Sequence, residues 1–161
     1  MFCTKKGYAV VRERCCVMED EQTIVLEFTL KGSDFNAAGE TSSKIKKVLQ
    51  QIGVKSDIIR RIAISSYEAE MNVIIHAYQG KVRATIYPDR TELVVEDEGP
   101  GIADIGLAMQ EGYSTAPDHV REMGFGAGMG LPNMARCSDK FDIQSAVEEG
   151  TKITMTIFHN A

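Results

Sequence analysis

Glycine occupies positions 124, 126, 128 and 130 in the run Gly124-Phe-Gly-Ala-Gly-Met-Gly130-Leu131, and a helical pattern opens directly after it. A stretch lacking a Cβ at every second position is poor material for a helix or strand interior, so it reads as a loop feeding a helix. Backbone N–H groups in such a loop, and at the helix N-terminus behind it, make a site for an anion. Two familiar phosphate-binding patterns do not fit. No Lys-Ser or Lys-Thr follows the glycines, and the run follows a long polar excursion instead of the first strand of a βαβ unit. The plain alternative for these glycines is a flexible hinge.

The rest of the chain divides by hydrophobic period. Residues 1–22 show no clean period and read as an N-terminal extension, with a strand through Tyr8-Ala-Val-Val11 and a contact arm as the available roles. From Thr23, Ile24, Leu26, Phe28 and Leu30 alternate as one face of a strand. Ser33 or Asp34 is placed to cap a helix carrying Ala38, Ile45, Val48, Leu49 and Ile52, which Gly53 stops. A second, largely buried helix runs from Ser56 or Asp57 through Ile58, Ile62, Ala69 and Val73 to about Ala77. Val82, Ala84 and Ile86, a turn at Pro88-Asp89-Arg90, and Leu93 to Glu96 predict a hairpin.

Between Gly101 and Gly124 lies a polar stretch with a short helical piece near Ile105 to Met109 and an irregular Gly112 to Pro117. An excursion of that length inside a compact domain suits a lid. A helix from Leu131 to Ser138, with Met134 and Ala135 inward, precedes two strands, Phe141 to Val147 and Thr151 to Phe158. One α+β domain over residues 23–161 follows, a mostly antiparallel, mixed sheet with helices gathered on one face.

Composition narrows the function classes. The 161 residues are 43% hydrophobic and 25% charged, enough for one domain with a real core. The net charge of -5 argues against a binder that neutralises nucleic-acid phosphates. No signal peptide or membrane span is evident, which points to the cytoplasm. Cys3, Cys15, Cys16 and Cys137 have neither CxxC nor framework spacing and read as reduced thiols, a metal or redox role being the alternative.

Two further blocks complete the pattern. Glu68 and Asn72 are one helical turn apart and share a face. An Asn there can offer its oxygen to a hard cation such as Mg²⁺, and a Glu one turn earlier can accept a proton from an attacking hydroxyl. His76, another turn on, reads as a structural histidine. A polar helix face is the plain reading of this block. Asp97 leaves a strand and is followed by Gly99 and Gly101. A buried Asp there can accept from an exocyclic amine such as adenine N6, with the glycines giving the ring room. An ordinary Asp/Gly/Pro turn is the plain reading. Taken in order, the three blocks describe one ATP pocket.

In this order the blocks resemble those of the GHKL ATPases, the family of gyrase, heat-shock chaperones, histidine kinases and MutL. Glu68…Asn72 matches the N box, Asp97-x-Gly99-x-Gly101 the G1 box, and Gly124 to Gly130 the G2 box, within a resemblance spanning roughly residues 23–158. The likeness is greatest to the small bacterial anti-sigma factor serine/threonine kinases, through Ile74-Ile-His-Ala-Tyr78 and the Gly-x-Gly-x-Gly-x-Gly-Leu-Pro run. The resemblance implies a Bergerat two-layer sandwich that binds ATP and Mg²⁺. Glu68 would be the catalytic base and Asn72 the Mg²⁺ ligand. Asp97, Gly99, Gly101 and Ile102 would hold the adenine. Ser114, Thr115, Gly124, Gly126, Gly128, Met129, Gly130 and Leu131 would close over the phosphates.

The implied reaction transfers the ATP γ-phosphate to a Ser or Thr of a STAS-domain antagonist, in a partner-switching circuit that can include a sigma factor. A homodimer is in keeping with it. An ATP-gated module that sequesters a regulator without turnover is the alternative, and a detached histidine-kinase catalytic domain is a third reading. The 161 residues hold no phosphoacceptor-histidine domain. Arg121 is the one nearby cation nominated for the γ-phosphate, on position alone, with an ordinary surface arginine as the alternative.

Overall fold

Alternating burial along the strands explains how the sheet is built. In the computed structural model, which describes residues 22–160 and the strand residues 3–5, 8–10 and 16–17, the main sheet has the order β3-β4-β5-β6-β8-β7. Its strands are β3 (Cys16–Val17), β4 (Ile24–Lys31), β5 (Gln79–Ile86), β6 (Arg90–Glu98), β7 (Lys140–Ala146) and β8 (Gly150–Phe158). The remaining pair, β1 (Cys3–Lys5) and β2 (Tyr8–Val10), forms a small hairpin. Every pairing among the described residues is antiparallel, so no parallel strand joins the sheet there.

One face of the sheet is apolar in register. Phe28, Val82, Val95, Ile153 and Ile143 align across five strands, and Leu26, Ala84, Leu93, Met155 and Phe141 form the next row. The other face carries cross-strand ion pairs, Arg83 to Glu27 at 3.6 Å and Lys152 to Glu96 at 2.6 Å. This division is what a period of two produces when only one face is covered.

Three helices cover the apolar face: α1 (Glu40–Gln51), α2 (Ser56–His76) and α5 (Gly130–Cys137), the last following two short helices, α3 (Ile105–Ala108) and α4 (Asp118–Glu122). Ile45 and Leu49 of α1, Ile58, Ile62 and Val73 of α2, and Met134 of α5 are buried in one cluster with the sheet. Fully burying a side chain of this size contributes about 1.5–3 kcal/mol. No helix among the described residues is long and apolar enough to cross a membrane.

The start of α1 differs from the sequence expectation. Neither Ser33 nor Asp34 caps it. Phe35–Ala37 form a separate 3-10 turn, and α1 begins after Gly39, which is left-handed with φ 85°. Ser33 instead donates its backbone N–H to Ile74 O near the end of α2, at 2.7 Å. The N-terminal N–H groups of α1 are met from a distance. Glu70, fully buried on α2, accepts from Thr41 N at 3.0 Å and Ser42 N at 3.3 Å. Gly53 does end α1 as expected: Val54 N donates to Leu49 O and Gly53 N to Gln50 O, the Schellman arrangement. The expected 1–22 extension lies mostly outside the described residues. Its backbone at Cys16 and Val17 pairs with Leu26 and Val25.

Candidate nucleotide-binding site

A cavity of about 670 Å³ opens between the C-terminal half of α2, the end of β6, the 101–130 segment and the start of α5. The three blocks, distant in sequence, meet there. Glu68, Asn72, Asp97, Gly101, Ile102, Ser114, Thr115, Gly124, Gly126, Gly128, Met129, Gly130 and Leu131 all line it. Gly99 does not. It is buried, and a Cβ there would stand 3.0 Å from Asp97 Oδ1 and 3.1 Å from Ala77 Cα, so glycine at this position leaves room for the Asp97 carboxylate and for the packing of the strand exit on the end of α2.

Helical spacing explains the first wall. Residues 68 and 72 point to one side of α2, toward the N-terminus of α5. A Cβ at Gly130 would sit 3.1 Å from Asn72 Oδ1 and 3.5 Å from Glu68 Oε2. Both oxygens therefore converge on the head of α5, where backbone N–H groups lack intrahelical partners. The other Glu68 oxygen, Oε1, is held by Asn133 Nδ2 at 2.8 Å.

The second wall is the end of β6. Asp97 Oδ1 accepts from Thr151 N of the neighbouring β8 at 3.2 Å, which leaves the second carboxylate oxygen for a ligand. Burial raises the Asp97 pKa above the ordinary carboxylate value, against the opposing effect of the Thr151 N–H. Gly101 has φ 70°, and a Cβ there would meet Ala146 O. Its glycine is required by the turn between β7 and β8 as well as by the cavity. Glu148 N donates to Pro100 O at 2.8 Å in the same contact, and Ser145 Oγ accepts from Ile102 N at 2.8 Å. This wall is thus fixed to the sheet.

The third wall is the 101–130 segment, where the expected short helix forms as α3 and Gly112 to Pro117 is irregular, as expected. Asp104 caps α3 by accepting from Leu107 N at 2.9 Å. Gly112 N donates to Gly128 O at 2.9 Å, closing the segment into a loop. Ala116 and Val120 are buried inside it, with α4 supplying Val120. Helix α4 was not foreseen: five residues are too few to show a period. Phe125 stacks on Phe35 of the 3-10 turn, with ring centroids 5.7 Å apart and planes at 22°. Arg121 does not line the cavity. Its Nη2 donates to Ser114 O at 2.8 Å, so the guanidinium braces the lid from outside.

His76 lines the cavity one turn beyond Asn72, and burial of the imidazole lowers its pKa. Cys137, the one cysteine whose side chain is described, is unpaired, and burial pushes its thiol pKa up. Cys3, Cys15 and Cys16 carry side chains outside the described residues. Sequence reasoning missed Asn133, Glu70 and Phe35. Each acts across a tertiary contact that no local spacing reveals.

Comparison with known proteins agrees with this geometry. Residues 33–157 match the family model described as "Histidine kinase-like ATPase domain". The chain is 31% identical over 112 residues to "Serine/threonine-protein kinase RsbT" of Bacillus subtilis, covering 67% of this chain and 78% of the relative. It is 31% identical over 144 residues to "Anti-sigma F factor" of Caldanaerobacter subterraneus subsp. tengcongensis, covering 86% and 95%. It is also 42% identical over 95 residues to the "Anti-sigma F factor" of Heyndrickxia coagulans, covering 55% and 61%. A cavity lined by all three blocks, on a sheet covered by helices on one face, is what an ATP-binding domain of this type requires. The chain belongs to the histidine kinase-like, or GHKL, ATPase family.

Proposed function

We propose that this protein is a Mg²⁺-dependent serine/threonine protein kinase that phosphorylates a STAS-domain partner in a partner-switching circuit. The observation that carries this reading is the convergence of Glu68 Oε2 and Asn72 Oδ1 on Gly130. A nucleotide clamp needs the oxygen of Asn72 and the carboxylate of Asp97. It has no use for a second carboxylate turned toward the phosphates.

In this reading the free oxygen of Asp97 accepts from the adenine amine, and Gly101 and Ile102 form the wall beside the ring. Backbone N–H groups of the Gly124–Leu131 run surround the phosphates, with Ser114 and Thr115 closing from the lid. Among the described residues no cluster of three His, Cys, Asp or Glu side chains is placed to hold a metal by itself. The hard oxygen of Asn72 suits Mg²⁺, which keeps water and phosphate oxygens as its other ligands. Bound there, Mg²⁺ supplies charge neutralisation for the transferring phosphoryl group. Glu68 Oε2 takes the proton of the attacking Ser or Thr hydroxyl. The new O–P bond forms as the bond between the γ-phosphorus and the β–γ bridging oxygen breaks, and ADP leaves.

The relatives named anti-sigma F factor favour a second reading, an ATP-gated module that holds a sigma factor or other regulator with little turnover. One experiment separates the two. The protein is incubated with Mg-ATP and each STAS-domain protein of its source genome, and phosphoserine and phosphothreonine are read by mass spectrometry. A kinase labels one of them, and Glu68→Ala loses the label by at least about a hundredfold while still binding ATP. Capture of a sigma factor by the ATP-bound wild type, with no label on any STAS protein, selects the module.

A further inference from the structure

We propose that Asn133 is a positioning residue for this reaction: its side-chain amide holds one oxygen of Glu68 so that the other faces the phosphates. The inference rests on the kinase reading above and assigns a role to a residue outside the three sequence blocks.

Asn133 sits in the second half of the first turn-and-a-half of α5, just past the glycine run. Its Nδ2 donates to Glu68 Oε1 at 2.8 Å. Arg136 fixes the orientation of the amide from the other side, with Nη2 donating to Asn133 Oδ1 at 3.3 Å. A guanidinium only donates and a carboxylate only accepts. A flipped amide would oppose both neighbours, so the NH₂ must face Glu68. The held oxygen leaves Oε2 as the one turned to Gly130, 3.5 Å from the position of a Cβ there.

A glutamate side chain has three rotatable bonds, and an unheld carboxylate spreads over several rotamers. A general base works in the fraction of time it lies within hydrogen-bond reach of the proton it takes. Clamping Oε1 raises that fraction without touching the nucleotide. The same Arg136 Nη2 lies 3.1 Å from Glu111 Oε1, between α3 and the rest of the lid. The orientation of the base is therefore joined, through Asn133 and Arg136, to the segment that covers the phosphates. The Arg136–Glu111 pair is exposed and weak by itself. Its role is to keep the guanidinium over Oδ1.

The test uses the full chain, Mg-ATP, and the STAS-domain protein of the source genome that wild type labels. Asn133→Leu keeps the volume and removes the donor, and Asn133→Gln keeps a donor one methylene further out. Asn133→Leu lowers kcat about tenfold while KM and calorimetric Kd for ATP stay within about twofold. Asn133→Gln recovers most of that loss, and Arg136→Gln costs roughly twofold to threefold in kcat. Should the leucine variant not fold, Asn133→Ser repeats the comparison.

A wild-type kcat in Asn133→Leu overturns the proposal, as does a glutamine variant no better than leucine with KM and melting temperature disturbed together, the signature of packing alone. Glu68→Gln separates the levels. If it is inactive while Asn133→Leu is unaffected, the positioning role falls and the base stands. If Glu68→Gln runs at the wild-type rate, or wild type labels no STAS protein, the kinase reading and this inference fall together.

Discussion

Glu70, buried in the C-terminal half of α2, accepts a hydrogen bond at 3.0 Å from the backbone N–H of Thr41 in the first turn of α1. Its second oxygen takes the N–H of Ser42. A helix that lacks a side-chain cap of its own is thus capped by another helix, which also locks α1 to the helix that lines the cavity. Truncating Glu70 strands two backbone donors away from water and opens a cavity. Glu70→Ala is expected to lose about 3 kcal/mol of stability and roughly 10 °C in melting temperature. Thermal unfolding followed by circular dichroism checks this, and an unchanged melting temperature would remove Glu70 from the account of α1.

Asp97 separates binding from folding. Its pKa is raised because burial disfavours the charged form. The stability linked to its protonation is complete below the ordinary carboxylate range and is lost as pH rises through the elevated folded-state value. Asp97→Asn keeps an oxygen for Thr151 N but turns an NH₂ toward the adenine amine, donor against donor. The variant is expected to be at least as stable as wild type at neutral pH, with the gain vanishing in acid, and to bind ATP at least about tenfold more weakly. Denaturant unfolding at several pH values and calorimetry check the two halves separately.

Much of the fold was legible in the sequence because burial on one face imposes a period that composition cannot hide. The spacing of Ile58, Ile62 and Val73 places α2 within a residue or so, and the alternation of Val82, Ala84 and Ile86 finds the hairpin, although β5 and β6 each begin three residues earlier than that alternation and Leu93 indicate. The beginning of α1 was not legible. Its capping group lies 29 residues from Thr41, so Ser33 and Asp34 offered a local signal for a job done elsewhere. The three blocks could be picked out because each is a local chemical pattern in one stretch of chain, and the fold brings them to one cavity. Gly99, buried between Asp97 and Ala77 and outside the cavity lining, and Asn133, bonded to Glu68, give no local sign of these places, because both depend on how α2 meets its neighbours.

Gly130 offers a substitution that leaves the backbone unstrained. Its conformation is helical, and alanine is the better helix former. The added methyl would crowd Asn72 Oδ1 at 3.1 Å and project into the cavity where the phosphates are proposed to lie. Gly130→Ala is expected to match or exceed wild-type stability while weakening Mg-ATP binding about tenfold or more. Equal affinity in the variant would mean that phosphates do not approach this point.

The Phe35–Phe125 stack ties the lid to the turn before α1. An aromatic pair of this kind contributes about 0.5–1.5 kcal/mol beyond its buried area. Phe125→Ala is expected to speed release of a fluorescent ATP analogue roughly fivefold, with little change in its association rate. Stopped-flow displacement measures both rates, and an unaltered release rate would show that the lid closes without this contact.

Calorimetric titration of Mg-ATP into the wild-type chain tests the central claim most directly, since every role assigned to Glu68, Asn72, Asp97 and the glycine run requires that nucleotide in the 670 Å³ cavity. The account predicts saturable heat with one site per chain, reduced in Asp97→Asn and in Gly130→Ala. A flat isotherm for folded wild type, or an isotherm that neither substitution alters, would contradict it.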